Sequence, residues 1–492
     1  MSVLKKSILV VSLLVLGSFF EGLAKEPAQA YADVSNNTLS KAETLSDFVK
    51  VVQEKNSSYT ASIKRIKALN NKSFDSSLLF VPELYSSVEW RQDRGPRLNI
   101  AFQGDQSETT EFNLGVRQKT RFGLDASLSF RSFRERFQGR PTNFFPLNDY
   151  YTNNFVLNLE QSLLRNSFGK QNRLIEEQSL ATNYYEALLE EKKAIDVLVK
   201  AQKAYWNYAV NKKILSILKQ SAERAKSILD YNKKRSGRGV VDVGEVLQAK
   251  AGYLQRKLEV EESKDSLTIF EKDYRSFVED QNVSLSIEAP STEVVLNLKV
   301  PDLSKKSLSI VTQEQSIKAL KYKNEAYIDG AKPELKVFGN LTTGAIQEGF
   351  SDATGDAFST DLPVTTVGLN LSIPLAFGKV NKILKGYREE VVSSEISLKR
   401  LLIDDKVLKD KQLTSFRDLK SRLSFVTELE IAQKKKLEHE KRLQKNGRST
   451  TYQVLLFEQD YLAAQVANLR LRSEIMNLYV DFYNFSRLKD FL

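Results

Sequence analysis

Cysteine is absent from the 492 residues, histidine occurs once, and methionine and tryptophan occur twice each. No disulfide framework and no lipidated N-terminal cysteine is therefore available. The lone histidine, His439, stands in the charged run Lys436-Leu437-Glu438-His439-Glu440-Lys441, which reads as a solvated helix surface. A Cys/His metal cluster or an ordinary Ser-His-Asp triad is hard to assemble from such a set. Ser236-Gly237-Arg238-Gly239 has neither the preceding strand nor the following Lys-Ser/Thr of a phosphate loop. No enzyme, metal or cofactor chemistry is expected. Long apolar runs are missing too: after the stretch Ile8 to Phe20, no 18 consecutive apolar residues occur, which excludes a helical transmembrane protein.

What is present begins with Lys5 and Lys6 ahead of that apolar stretch, followed by Ala28-Gln29-Ala30, a small-x-small site. The pattern predicts an export signal over 1–30, cleaved after Ala30 or, alternatively, after Ala24. An exported chain without spanning helices can enter a membrane only as strands closed into a barrel. The formal charge is +11, with 41% hydrophobic and 27% charged residues. That balance favours solubility or an acidic or anionic partner. Nucleic acid is not an expected partner, since no reader motif occurs.

Along the chain, 39–72 reads as a polar helix that Pro82 ends. From Leu84 to about Arg165, alternating segments are separated by Gly, Pro and Asn turns. Phe155, Leu157 and Leu159 alternate with Asn154, Val156, Asn158 and Glu160. Val367, Leu369, Leu371 and Ile373 alternate with Thr366, Gly368, Asn370 and Ser372. One greasy face and one polar face are what barrel strands require. Residues 112–130, turning at Arg121-Phe122-Gly123, read as an additional hairpin that could extend, flank or plug a barrel. Phe144, Phe145, Tyr150, Tyr151, Phe155, Phe350 and Phe358 flank the strands, either as a membrane-interface belt or as a loop cap.

Neither proline nor glycine occurs from Asn172 to Arg235, which predicts a rod on the order of 95 Å. A second rod is expected over 382–445, with Phe416, Leu419, Leu423 and Val426 as a coiled-coil seam. Each rod meets a glycine turn and returns as a partner helix, about 242–281 and 449–488. Residues 283–304, with Pro290 and Pro301, break the pattern as a linker belting the middle of the rods.

The chain also repeats itself. Phe168-Gly169-Lys170 reappears as Phe377-Gly378-Lys379, and Gly239 and Gly447 each stand six residues before a Glu-Val-Leu or Gln-Val-Leu. The two intervals nearly coincide, 378 − 169 = 209 and 447 − 239 = 208 residues, which points to a duplicated unit. The expected organisation is a first repeat over 31–282, the linker 283–304 and a second repeat over 305–492.

This order, with the Ile373-Pro374-Leu375-Ala376-Phe377-Gly378 junction and the two Gly-x5-[Glu/Gln]-Val-Leu hairpins, resembles the TolC family of outer membrane efflux proteins. The resemblance implies an α+β membrane protein in which three protomers give four strands each to one twelve-stranded barrel, continued by a periplasmic tunnel of helical coiled-coil hairpins. It implies a homotrimer in outer-membrane lipid, a periplasmic adaptor protein docking at the hairpin tips, and an inner-membrane pump. The strand-to-helix junctions would be Phe168, Gly169, Pro374, Phe377 and Gly378. The tips would hold Lys233, Lys234, Arg235, Gly237, Arg238 and Gly239, then Lys445, Gly447 and Arg448.

The family's acidic entrance positions fall on Gln453 and Leu456 in the second tip, and on Glu245 and Gln248 in the first. Its mouth-closing tyrosine and arginine fall on Gln444 and Ser449, so that latch is replaced. Implied activity is passive conduction of small molecules, with protein secretion through the same architecture as an alternative. A periplasmic coiled-coil scaffold with adhesion loops is a rival of another class.

Overall fold

A computed structural model describes residues 43–141, 146–240, 242–279, 287–358, 363–375 and 377–488. The expected export signal, Phe144 and Phe145 lie outside these residues. The described residues open with α1 (Glu43–Lys55) and α2 (Ser57–Lys72) where one helix was expected. The break is at Asn56, whose Oδ1 accepts from the Tyr59 amide as an N-cap, while its Nδ2 donates to the Phe277 carbonyl. Capping one helix and binding the end of another costs a single residue of helix continuity.

Six strands follow in two groups: β1 (Glu83–Asp93), β2 (Gln106–Lys119), β3 (Leu124–Gln138), β4 (Asp149–Ser162), and later β5 (Glu334–Gln347) and β6 (Val364–Ser372). They form one antiparallel sheet in sequence order. The 112–130 hairpin is therefore present, longer than expected, and lies within the sheet between β1 and β4.

The first strand group leads into α3 (Lys170–Ser236) and α4 (Val243–Val278). A short helix, α5 (Thr292–Asn297), crosses to α6 (Leu308–Gly330). Between β5 and β6 sits α7 (Phe350–Ala357), which the sequence had not announced. The chain finishes with α8 (Phe377–Lys445) and α9 (Thr451–Asp481). At 67 and 69 residues, α3 and α8 each run roughly 100 Å. No described helix is long and apolar enough to cross a membrane.

The main core lies where α1, α3, α6, α8 and α9 meet, with Phe48, Leu198, Tyr205, Leu308, Leu423, Ile475 and Phe482 almost fully buried. Phe416, Leu419 and Leu423 of the expected seam are buried there, with Val426 packed against them. Leu298, just past α5, accepts through its carbonyl from Lys420, and the Pro290 carbonyl accepts from Arg472. These two bonds hold Pro290 against α9 and Leu298 against α8. Phe48 stacks on Tyr274 at 4.9 Å, and burial pushes the Tyr274 phenol up to about 12. A further cluster (Ile228, Leu229, Ala249, Leu437, Val454) joins both hairpins near their tips.

Candidate functional site

The register fixes which side chains share a face of the sheet. One row runs Leu84, Val116, Leu128, Leu157, Leu341, and a neighbouring row runs Ser86, Leu114, Phe130, Phe155, Thr343. On β6 the same face carries Val367, Leu369 and Leu371. This side is an apolar band crossing all six strands. The reverse side carries Ser87, Asn113, Arg131 and Asn154 in one row and Arg117, Ser127, Asn158 and Asn340 in another. Charge there is paired, as in Arg117 with Glu83 at 2.9 Å and Arg131 with Glu111 at 3.1 Å.

At the loop end the apolar face closes with Arg134 and Arg136 on Asp149, at 2.8 and 3.1 Å, and with Arg134 over the Tyr151 ring. Next to them α7 folds back onto this face. Phe350 meets Tyr151 edge-on at 5.7 Å, Phe358 lies 4.3 Å from Phe155, and Asn153 donates to Thr354 Oγ1 at 2.7 Å. Tyr151, Phe155, Phe350 and Phe358 therefore pack as a cap on the strands. Tyr150, on the other side, stacks with Phe137 at 6.4 Å.

The two hairpin tips share one backbone solution. Gly239 (φ 70°) and Gly447 (φ 73°) are left-handed, and the next amide bonds five residues back, Val240 to Arg235 and Arg448 to Leu443. This is the Schellman closure, in which glycine takes the conformation a Cβ would penalise. Gly237, by contrast, stays in the right-handed region as the C-cap of α3. Lys233, Lys234, Arg238, Lys445 and Arg448 are exposed, and Arg235 lies over Tyr231 at 5.5 Å.

Just above the turns, four helices converge on a single hydroxyl. Thr451 Oγ1 donates to Glu245 at 2.7 Å and accepts from Asn232 at 2.8 Å and from Gln444 at 3.3 Å. Higher up, the Glu458 carboxylate, 1% exposed, accepts from Arg224, Ser221 and Lys441 at 2.6, 3.2 and 3.3 Å.

No family model and no curated protein matches the sequence. Solved structures do. The outer-membrane channel OprN superposes over 89% of this chain and 89% of its own, with a TM-score of 0.64 at 15% identity. The CmeC outer membrane channel of Campylobacter jejuni covers 93% of this chain and 90% of its own, with a TM-score of 0.63 at 15% identity. The outer membrane protein VceC of Vibrio cholerae covers 89% and 95%, with a TM-score of 0.60 at 12% identity. The chain has the TolC-type outer-membrane channel fold.

Within this TolC-type fold the expected mouth residues divide. Glu245 and Gln444 come together on Thr451, whereas Ser449 pairs with Glu440 and Gln453. Gln248, Gln453 and Leu456 are exposed. Asn232, Thr451 and Glu458 were missed from sequence. Their only signal was polarity at positions where the helix pattern calls for a buried side chain.

The junctions also differ from expectation. Asn166, Phe168 and Gly169 have φ of 55°, 46° and 74° ahead of α3, and Asp329 accepts from the Asn166 amide at 2.8 Å. At the second junction α8 already begins at Phe377, so Gly378 sits inside its first turn, and Pro374 is exposed before it. The repeated Phe-Gly-Lys letters therefore serve two different backbones.

Proposed function

We propose that the chain is the outer-membrane exit duct of a tripartite efflux system, passively conducting small molecules from a periplasmic tunnel to the exterior. The observation that carries this reading is the apolar band over six strands, polar behind and open at both edges. In lipid such a sheet must be closed by further strands, because unpaired backbone groups find no water there. The helices ask for company as well. Val392, Ile396, Ile403 and Val407 step by 4, 7 and 4 along α8 and are 48, 60, 56 and 60% exposed. Leu247, Leu254 and Leu258 make a similar exposed seam on α4. Heptad seams left bare in one copy fit a neighbouring copy, and two different seams fit a head-to-tail ring.

Three copies around one axis satisfy both demands, in line with the family resemblance. The two halves then descend from the duplicated unit with the belt 283–304 between them. The tips, with exposed Lys233, Lys234, Arg238, Lys445 and Arg448, serve as the docking surface for a periplasmic adaptor that links the duct to an inner-membrane pump. The Glu245–Thr451–Asn232–Gln444 cluster takes the place of the family's latch. The mass of the protein extracted in detergent from outer membranes tests this reading, together with its conductance in planar bilayers. A trimer forming ion-conducting pores is expected. A monomer released without detergent would overturn it in favour of a periplasmic scaffold.

A further inference from the structure

Building on the shared-barrel reading, we propose that the β2–β3 hairpin is part of the barrel wall, so that three copies close an eighteen-stranded barrel in which β1 of one copy pairs with β6 of the next. The family resemblance implies four strands per copy, and the hairpin could in principle lie beside a twelve-stranded wall. Three features of the sheet place it inside.

The first is pairing. β2 is bonded to β1 from Glu83–Arg117 to Asp93–Ser107, and to β3 from Gln106–Gln138 to Lys119–Asp125. β3 is bonded in turn to β4 from Leu124–Gln161 to Arg136–Asp149. Expelling the hairpin would break the first and third ladders and leave β1 and β4 to find each other.

The second is polarity. Phe112, Leu114 and Val116 of β2, and Ala126, Leu128 and Phe130 of β3, continue the apolar rows of β1 and β4 without a change of face. Their opposite side, with Asn113, Glu111, Ser129 and Arg131, matches the polar side of the remaining strands. A hairpin lying outside the wall would have no reason to keep a lipid face and a water face in step with its neighbours.

The third is the turn at the helix end. Gly123 and Gly169 approach so closely that a Cβ on Gly123 would lie 2.4 Å from the Gly169 nitrogen. Arg173 donates to the Arg121 carbonyl at 2.8 Å, Gln161 to the Phe122 carbonyl at 3.2 Å, and Arg121 pairs with Glu176 at 2.7 Å. The hairpin is thus clamped onto the start of α3.

Closure then follows from the two edges. β1 and β6, of 11 and 9 residues, are each bonded along one side only. With an even number of strands they run antiparallel to each other, so β6 of one copy meets β1 of the next in the sense the rest of the sheet uses. Val88 and Val367, on the apolar face of these edges, are 71% and 74% exposed. Six strands fall short of the roughly eight that the smallest closed barrels use, so the missing strands come from other copies. Because diameter grows about linearly with strand number, an eighteen-stranded wall is about half again as wide as a twelve-stranded one. The number of tunnel helices is unchanged, so the duct flares at its outer end.

The absence of cysteine makes the test clean. In protein assembled in outer membranes, the pair Ser129→Cys with Val156→Cys, opposed on β3 and β4, is cross-linked by a short bis-maleimide, as is the edge pair Val88→Cys with Val367→Cys. The proposal expects a within-chain link from the first pair and a dimer-to-trimer ladder from the second. Amides of β2 and β3 in the detergent-extracted native trimer should also exchange as slowly as those of β4 and β5. A ladder from the edge pair with no β3–β4 link and fast-exchanging β2–β3 amides would overturn the eighteen-stranded wall while leaving the shared barrel standing. A monomeric protein giving neither link would overturn the shared barrel itself.

Discussion

At the far ends of α3 and α8, two sequences that share a glycine, a surplus of Lys and Arg and a Glu-Val-Leu or Gln-Val-Leu six residues on settle into the same turn. Gly239 and Gly447 differ by 3° in φ (70° and 73°), and the closing hydrogen bonds are 3.0 and 2.9 Å. At the near ends of the same two helices, where the letters Phe-Gly-Lys are shared, the backbones diverge. Gly169 is left-handed and wedged against the β2–β3 turn, while Gly378 is an ordinary residue of a helix's first turn. The difference lies in the surroundings. Open space around each tip lets local helix-ending preferences decide, whereas at the first junction a neighbouring hairpin decides. Local likeness in sequence is a poor guide wherever a third element intrudes.

The largest effect should come from breaking that contrast at its crowded side. Gly169→Ala places a Cβ 2.0 Å from the Arg121 carbonyl oxygen at φ 74°, and should cost about 3 kcal/mol from clash and left-handed strain together. Gly378→Ala, with nothing within 4 Å of the added Cβ, should gain up to about 1 kcal/mol from helix propensity. Thermal unfolding of the two variants in detergent compares them directly, and equal shifts would show the junctions to be alike after all.

A middle-sized effect belongs to the hydroxyl that ties the two tips to each other. Thr451→Val strips Asn232, Glu245 and Gln444 of their shared partner and should cost about 2 kcal/mol. Thr451→Ser should preserve stability. In planar bilayers the valine variant is expected to spend more time open than the serine variant, and identical gating would confine the cluster to a structural role.

The smallest effect tests the likeness of the tips. Gly239→Ala and Gly447→Ala meet no neighbour within 4 Å, so each should cost only the left-handed penalty, about 1 kcal/mol. Unfolding midpoints lowered equally by the two substitutions would sharpen the comparison. A clearly larger loss at one tip would mean that its turn is held by more than its own backbone.

Much of the architecture was legible because it rests on periodicity. The alternation at Phe155, Leu157 and Leu159 marks β4, the 3-4-3 spacing of Phe416 to Val426 marks a buried seam, and the long stretch free of glycine and proline marks α3. These signals are local, and nothing in the fold overrides them. The break at Asn56 was not legible, since its cause is the end of α4 more than two hundred residues away. Nor was α7, whose eight residues contain Gly355 and four polar side chains and become helical by docking on Phe130, Tyr151 and Phe155. Among the residues expected at the mouth, Glu245 and Gln444 were picked out by positional likeness to a family. Thr451, which joins them, looked like any threonine beginning a helix. A four-helix meeting point exists only in three dimensions.

The unbroken length of α3 has a mechanical consequence. Tyr205, in the main core, and Ser236, at the tip, are separated by 236 − 205 = 31 helical residues, an arm of about 47 Å. Pivoting such an arm by about 6° at the core swings its end by roughly 5 Å, close to one helical pitch. A stiff lever of this kind turns a small repacking around Tyr205 into a large displacement of the tip without unwinding a single turn of helix.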